Sequence, residues 1–561
     1  MFFRRSLPTP ATPIMPRQVF SKALVAVVAV AGFSSLGILA YWHQSRVRSY
    51  QLSESVKLVP QAAIATTFVT PNPSALRKIE EFTTPETRAW IEQNLKPLTQ
   101  QGVVATPLNY ARDLQPWMGG VLVAVLPAPP GAPLSQSNLL MVIGIKDRLK
   151  AWQFSRRLQQ RSDLKQRTSE YQGVKITEYQ EDKQKRYFVS VLQNHLVIGA
   201  NREAVEQAID TARSDIPSLA SLTAVEDGST TFQQNVGVPN PIASIYIADY
   251  PEFVEQVSPE TEESPLSSLS HLQSVQSLNA GLGVDQAGIR FKLVTQFDGT
   301  ATPQAAPPEL GKILARLPSD TLAFVNSQTI GQAWSQLTQQ AENDLQLQEL
   351  VDQIRQALQA IDLDADQEVF NWMDGEFALG AVASEEGVLA PLGLGGVLLL
   401  ETSQRPQAEA TLSKLDTIIA ESNPPVNVEQ RTLQGIKVTE WKDPRQGTLF
   451  GHGWLGDDLM FIAFGGPVVE AMTNKPQPSL QENARFQTMT QALPEANHSY
   501  VYVDMENLLA WATGYLLASP AAALQPNMVA LLNSVDGLGV SATFPESDQM
   551  ELEMFLALKG Q

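Results

Sequence analysis

The chain contains no cysteine. That removes disulfides, thiolate metal sites, a cysteine nucleophile and a lipid-bearing N-terminal cysteine. Positive charge is scarce as well: 40 Lys and Arg stand against 59 Asp and Glu, a formal net charge of −19. Phosphate binding needs clustered cations, so nucleic acid is excluded as a partner. The five histidines (His43, His195, His271, His452 and His498) show no H-E-x-x-H or other ligand spacing, and each reads as a satisfied or surface side chain. No G-x-S-x-G elbow, Walker A loop or dinucleotide fingerprint occurs. Gly393-Leu394-Gly395-Gly396 lacks the last glycine spacing and reads as a turn before a close-packed strand. These absences leave no catalytic, cofactor-binding or metal-ligating residue to nominate, and no cofactor is expected.

What is present is ample apolar content, 43% of 561 residues, enough for two to four ordinary domains at ~100–200 residues each. Ala23 to Trp42 is an apolar run of twenty residues without a charge, the length of a spanning helix at ~1.5 Å per residue. Arg4, Arg5, Arg17 and Lys22 precede it, and Arg46, Arg48 and Lys57 follow. Tyr41 and Trp42 stand at its outer end, where amphipathic rings favour a headgroup layer. The expectation is a transmembrane signal anchor at 23–42, a cytoplasmic N-terminus at 1–22, and an exported remainder. The rival is a cleaved signal peptide, whose apolar core is usually shorter, ~7–15 residues.

The exported part reads as a tandem duplication. Trp117-Met118-Gly119-Gly120 recurs as Trp372-Met373-Asp374-Gly375, and Gln172-Gly173-Val174-Lys175-Ile176-Thr177-Glu178-Tyr179 recurs as Gln434-Gly435-Ile436-Lys437-Val438-Thr439-Glu440-Trp441. Ser244-Ile245-Tyr246-Ile247 matches Tyr500-Val501-Tyr502-Val503, and Gly281-Leu282-Gly283-Val284 matches Gly537-Leu538-Gly539-Val540. Leu58-Val59-Pro60 and Arg316-Leu317-Pro318 open the two series, each leading into a strand-like run. The matches are collinear, so the expected organisation is a first repeat at 55–300, a Pro/Ala linker at 301–308 and a second repeat at 309–561. Ser258 to Ser270, rich in Ser, Pro and Glu, reads as a loop. Strands joined by short turns, with helices between strand groups, predict an α+β fold: one N-terminal transmembrane helix followed by two homologous, largely antiparallel-sheet α+β repeats.

The repeated residues read as architecture. Trp117 and Trp372 sit at helix ends before glycine and serve as core anchors, with ligand stacking as the alternative. In the Gln-Gly-Val-Lys block, alternation places Val174 and Ile176 on one face, and Lys175, Thr177 and Tyr179 on the other. Glu178 and Glu440 lie in different repeats, and nothing brings them to the ~5–9.5 Å separation of a catalytic carboxylate pair. Asp362-Leu363-Asp364-Ala365-Asp366 imitates the start of a calcium loop, but Gln367 and Met373 replace the required Gly and Glu. Asp364 with Gln367 reads instead as a capping box. Leu508 to Leu532 is strongly apolar, and Pro520 and Pro526 bar a regular spanning helix there. It reads as core helix, with an exposed apolar patch as the alternative.

Together the anchor, the Trp-Met-x-Gly sites, the Gln-Gly-[Val/Ile]-Lys blocks and the strand-to-helix run Leu196-Val197-Ile198-Gly199-Ala200 before Glu203-Ala204-Val205 resemble the family called domain of unknown function 3352, found largely in cyanobacteria. The second half departs at Gly465-Gly466-Pro467, where the first has Asn201-Arg202-Glu203. The resemblance implies a single-pass membrane protein with an ectodomain in the periplasm or thylakoid lumen. It supplies no activity and no catalytic residue. The function expected is a non-enzymatic binding or assembly module, held to the membrane through residues 23–42, that contacts a membrane protein complex or a lipid. The alternative is an exported hydrolase using acidic residues.

Overall fold

The computed structural model describes residues 52–70, 75, 77–78, 114, 116–127, 138–159, 164–181, 185–222, 236–257, 274–299, 311–327, 329–342, 345–422, 426–445, 447–474, 478–494, 499–518 and 532–559. The expected linker at 301–308 and the loop at 258–270 lie outside them.

Ten strands come from the first part of the chain: β1 (Ala65–Val69), β2 (Met118–Leu126), β3 (Asn138–Ile145), β4 (Leu164–Tyr171), β5 (Val174–Glu181), β6 (Lys185–Leu192), β7 (His195–Gly199), β8 (Pro241–Ile247), β9 (Val275–Val284) and β10 (Gly288–Phe297). Ten more follow: β11 (Ala323–Ser327), β12 (Phe377–Ala383), β13 (Leu394–Glu401), β14 (Asn427–Leu433), β15 (Ile436–Asp443), β16 (Gly447–Trp454), β17 (Leu459–Phe464), β18 (Ser499–Asp504), β19 (Val535–Glu546) and β20 (Gln549–Leu558). All pairings are antiparallel. The first ten run in the order β4-β5-β6-β7-β3-β2-β1-β8-β9-β10. The last ten run β14-β15-β16-β17-β13-β12-β11-β18-β19-β20, the same sequence of connections.

Local chemistry explains the hairpins. The β4–β5 turn places Gln172 at φ 47° and Gly173 at φ 77°, and the β14–β15 turn places Gln434 at φ 50° and Gly435 at φ 83°. Two successive left-handed residues make the turn whose twist matches the flanking strands.

Two expectations are corrected. The halves are not two separate sheets: β10 pairs with β20 from Gly288↔Ala557 to Gln296↔Gln549, which makes one sheet of 20 strands. The physical reason is that a hairpin at the end of each half leaves an unpaired edge, and such an edge seeks a partner. Alternation within a strand carries no information about which partner that is.

The second correction concerns the transmembrane signal anchor at 23–42, and with it the single-pass membrane placement with an ectodomain in the periplasm or thylakoid lumen. Among the described residues, no helix is long and apolar enough to cross a membrane. Residues 23–42 themselves lie outside the described residues. Apolar length is the warrant for the expected anchor, and it states what a segment could span rather than that a spanning helix is built.

The sheet has two faces. On the inner one, Phe68, Leu122, Val142 and Val197 pack beneath helix Arg202–Ala212, through Val205 and Ile209. That helix starts where Asn201 accepts a hydrogen bond from the Ala204 amide, a side-chain N-cap. In the other half Phe324, Val397, Phe461, Tyr502 and Phe555 pack beneath helices Gly466–Thr473 and Ala484–Gln491, through Val468, Phe486 and Met489. On the outer face, helix Arg148–Gln159 covers Ile143 and Leu196, and helix Arg405–Ala420 covers Leu398 and Ile462. Helix Tyr250–Val257 covers Ala65 and Ile247.

Candidate functional site

Beneath and between those outer helices the sheet presents a continuous apolar row, one residue per strand. It runs Val191, Leu196, Ile143, Val121, Val69 and Ala243 from β6 to β8. It crosses β9, β10, β20 and β19 as Leu282, Phe291, Met554 and Val540. It continues as Val501, Val325, Leu379, Leu398 and Ile462 on β18, β11, β12, β13 and β17. Directly opposed residues of antiparallel strands share a face, so the register alone places all of these on one side. The flanking rows are apolar where they cross the β10–β20 seam: Ile289, Leu556, Leu538 and Val503 on one side, Leu293, Leu552 and Ala542 on the other.

Among the described residues, this face is not fully covered. Val325 is 41% exposed and Leu379, its direct neighbour, 51%; Val191 at the far end is 59% exposed. Leu398, Val501, Val540, Met554, Phe291 and Leu282 are half-buried. Val325 and Leu379 are thus adjacent exposed aliphatic side chains on a regular sheet. Beyond Ile462 the row meets its first polar residue, His452. The His452 ring nitrogen Nε2 lies 3.0 Å from Asp416 Oδ1, which also accepts a 2.7 Å hydrogen bond from Trp441 Nε1. Trp441 stacks on Phe450 at 4.3 Å. The group ties helix Arg405–Ala420 to the end of the row.

The residues singled out in the sequence fall into place around this face. Trp117 and Trp372 are buried, the first against Phe154 at 5.3 Å, the second donating from Nε1 to the Glu368 carbonyl. Both are core anchors under the outer helices. Asp364 accepts from the Gln367 amide, and Glu368 closes the cap by accepting from the Asp364 amide at 2.8 Å. The capping reading is therefore right in kind, with Glu368 in the place expected of Gln367. Asp366 is bound by Arg355 and by Trp334 Nε1, and Lys414 reaches Glu368. The Arg355 hydrogen bond, against a smaller cost of burial, holds the Asp366 carboxyl below the usual range. Among the described residues no group of three His, Asp or Glu could hold a metal ion.

Glu178 and Glu440 sit in β5 and β15, each one strand in from opposite ends of the sheet. Glu178 faces Arg186 at 3.6 Å. Glu440 is fully buried, with Arg431 Nη2 at 2.7 Å, Lys442 at 3.2 Å and Thr448 Oγ1 at 3.4 Å. Those acids are structural ion-pair partners. His195 is buried, and His43, His271 and His498 lie outside the described residues. The front of the Leu508–Leu532 run is helix Met505–Ala518, opened where Asp504 accepts from the Asn507 amide; Trp511 Nε1 donates to the Leu392 carbonyl at 2.7 Å.

The apolar row was not among the sequence-level candidates. Its signal is nonetheless present in Val121-Leu122-Val123-Ala124-Val125-Leu126, an unbroken apolar strand rather than an alternating one. Such a strand is apolar on both faces.

No curated protein matches the chain. Among solved structures it is similar to crystal form IV of TP0453, at 10% identity and a TM-score of 0.24 over 43% of this chain and 80% of that one. Crystal form III of TP0453 gives 9% identity and a TM-score of 0.24 over 45% and 82%. Likeness at that level carries no argument about fold or function. The family comparison is of a different order, because it spans residues 23–558 and so nearly the whole chain; it identifies a family and not a source organism. The chain belongs to the family of proteins of unknown function DUF3352.

Proposed function

We propose that this protein is a non-enzymatic binding module whose outer sheet face holds an elongated apolar ligand, the acyl chain of a lipid. The observation that carries the reading is the uninterrupted apolar row with Val325 and Leu379 left open on it. The stretch from Phe291 to Leu379 crosses β10, β20, β19, β18, β11 and β12, five strand spacings of ~4.8 Å, or ~24 Å. That is the length scale of a long acyl chain. Each methylene buried there contributes ~0.8 kcal/mol, so a long chain needs no polar anchor to be held. Glu440 and Asp366 are held in ion pairs and Asp364 in a helix cap, which favours the binding reading.

The test is titration of the purified full-length protein with cis-parinaric acid, with native mass spectrometry of the protein as isolated. Saturable fluorescence enhancement and a co-purifying lipid mass are expected. Leu379→Asp with Val325→Asp should abolish both while leaving the circular dichroism spectrum unchanged. A protein that carries no lipid and gives no saturable signal would overturn the proposal.

A further inference from the structure

Among the described residues, β10–β20 is the one strand pairing that joins the two halves. Its register has a hidden symmetry. Arg290 pairs with Gly283 on β9, and Phe555 pairs with Gly539 on β19. Gly283 and Gly539 are the matching second glycines of the Gly-Leu-Gly-Val runs, so Arg290 and Phe555 occupy corresponding places in the two halves. They are also paired with each other. A local two-fold axis therefore passes between them, and it exchanges the Lys292↔Glu553 pair with the Gly288↔Ala557 pair. This is the geometry of an isologous strand-to-strand dimer contact, written within one chain.

The charges break that symmetry. On the inner face β10 supplies only cations and β20 only anions. Arg290 meets Glu553 at 3.1 Å, and Lys292 meets Glu551 at 2.7 Å and Glu553 at 3.4 Å. Asp285, in the β9–β10 turn, holds the other side of Arg290 at 2.9 Å, and the guanidinium lies 5.8 Å from the Phe555 ring. These side chains are largely buried, where an unmatched charge is costly. In the same two-fold register, two copies of β10 would set Arg290 against Arg290 and Lys292 against Gly288. Two copies of β20 would leave Glu553 opposite Ala557. Like charges directly opposed on neighbouring strands are destabilising.

We propose that the seam is a charge-coded association surface: the β10 edge recognises a strand carrying carboxylates at the positions of Glu551 and Glu553, and rejects a second β10. The partner it fits is the second half of this chain. The two halves are thus a fused pair that associates one to one.

The experiment starts from the folded full-length protein with a protease site placed in residues 301–308. After cleavage, native mass spectrometry reads which halves remain together. One first half with one second half is expected, in any stoichiometrically balanced assembly. Lys292→Glu should weaken that association by ~10²-fold, and Lys292→Glu with Glu551→Lys, which leaves Glu553 to Arg290, should recover part of it. Lys292→Met, which keeps the aliphatic stem, serves if Lys292→Glu does not fold; weakening relative to the parent is again expected. Separation of the unaltered halves, homodimers of either half, or a Lys292→Met complex as tight as the parent would overturn the proposal.

Discussion

Replacing Phe324 and Leu379 by alanine, one at a time, measures how differently the two faces of the same sheet region are packed. They lie on the neighbouring strands β11 and β12 but point to opposite sides. Phe324 is 1% exposed, with the rings of Phe486 and Tyr500 each 5.8 Å away and Tyr502 at 5.9 Å. Its truncation removes a fully buried ring from an aromatic cluster and opens a cavity, at a cost of ~3–5 kcal/mol. Leu379 is half exposed, and burying a whole leucine contributes ~1.5–3 kcal/mol, so its truncation should cost only ~1 kcal/mol. Urea unfolding followed by tryptophan fluorescence and by circular dichroism reads both, with coincident transitions as the check on a single cooperative step. If Leu379→Ala destabilises as much as Phe324→Ala, the outer face is packed, and the reasoning that makes it a binding surface is wrong.

Glu440→Ala should destabilise by ~2–3 kcal/mol, less than the ~3–5 kcal/mol of a fully buried pair because Arg431 and Lys442 retain access to water; a urea-derived loss under 1 kcal/mol would contradict this. Asp366 has its carboxyl lowered by Arg355, so its stabilisation is present above the usual carboxylate range and is lost as pH falls through the folded value. Asp366→Asn should therefore lower the melting temperature at neutral pH and leave it nearly unchanged in strong acid. Burial raises the hydroxyls of Tyr500 and Tyr502 well above their ordinary value, so the folded state keeps those protons while the unfolded chain releases them near pH ~10. Stability should fall as pH rises past that point, and absorbance titration at 295 nm should show these two phenols ionising only on unfolding. Gly435→Ala meets open space but is held at φ +83°, so urea unfolding should show a backbone cost of ~1 kcal/mol.

Much of the local structure is legible in the chain. The Gln-Gly pairs mark the β4–β5 and β14–β15 turns, Ile176 faces inward as its alternation requires, and the tryptophans before glycine are anchors. These are short-range facts, set by backbone conformation and by the period of two along a strand. The sheet's continuity across β10 and β20 is not legible. It depends on two edges more than 250 residues apart in sequence, and an edge strand reads like any other until its neighbour is known. The candidate face was missed for a related reason. Val325 and Leu379 are each unremarkable in sequence, and only cross-strand register aligns them with Val501 and Leu398.

The same long separation has a consequence for biosynthesis. β10 ends at Phe297 and β20 begins at Gln549. At ~5–20 residues per second, translation leaves the first half waiting ~13–50 s for the strand that completes it. Through that interval its last strand is an open template on the ribosome, yet one that carries Arg290 and Lys292. Two cations on an edge discourage a neighbouring nascent chain from adding its own copy of that strand. The residues that later join the halves thus guard the unfinished one against aggregation while it is being made.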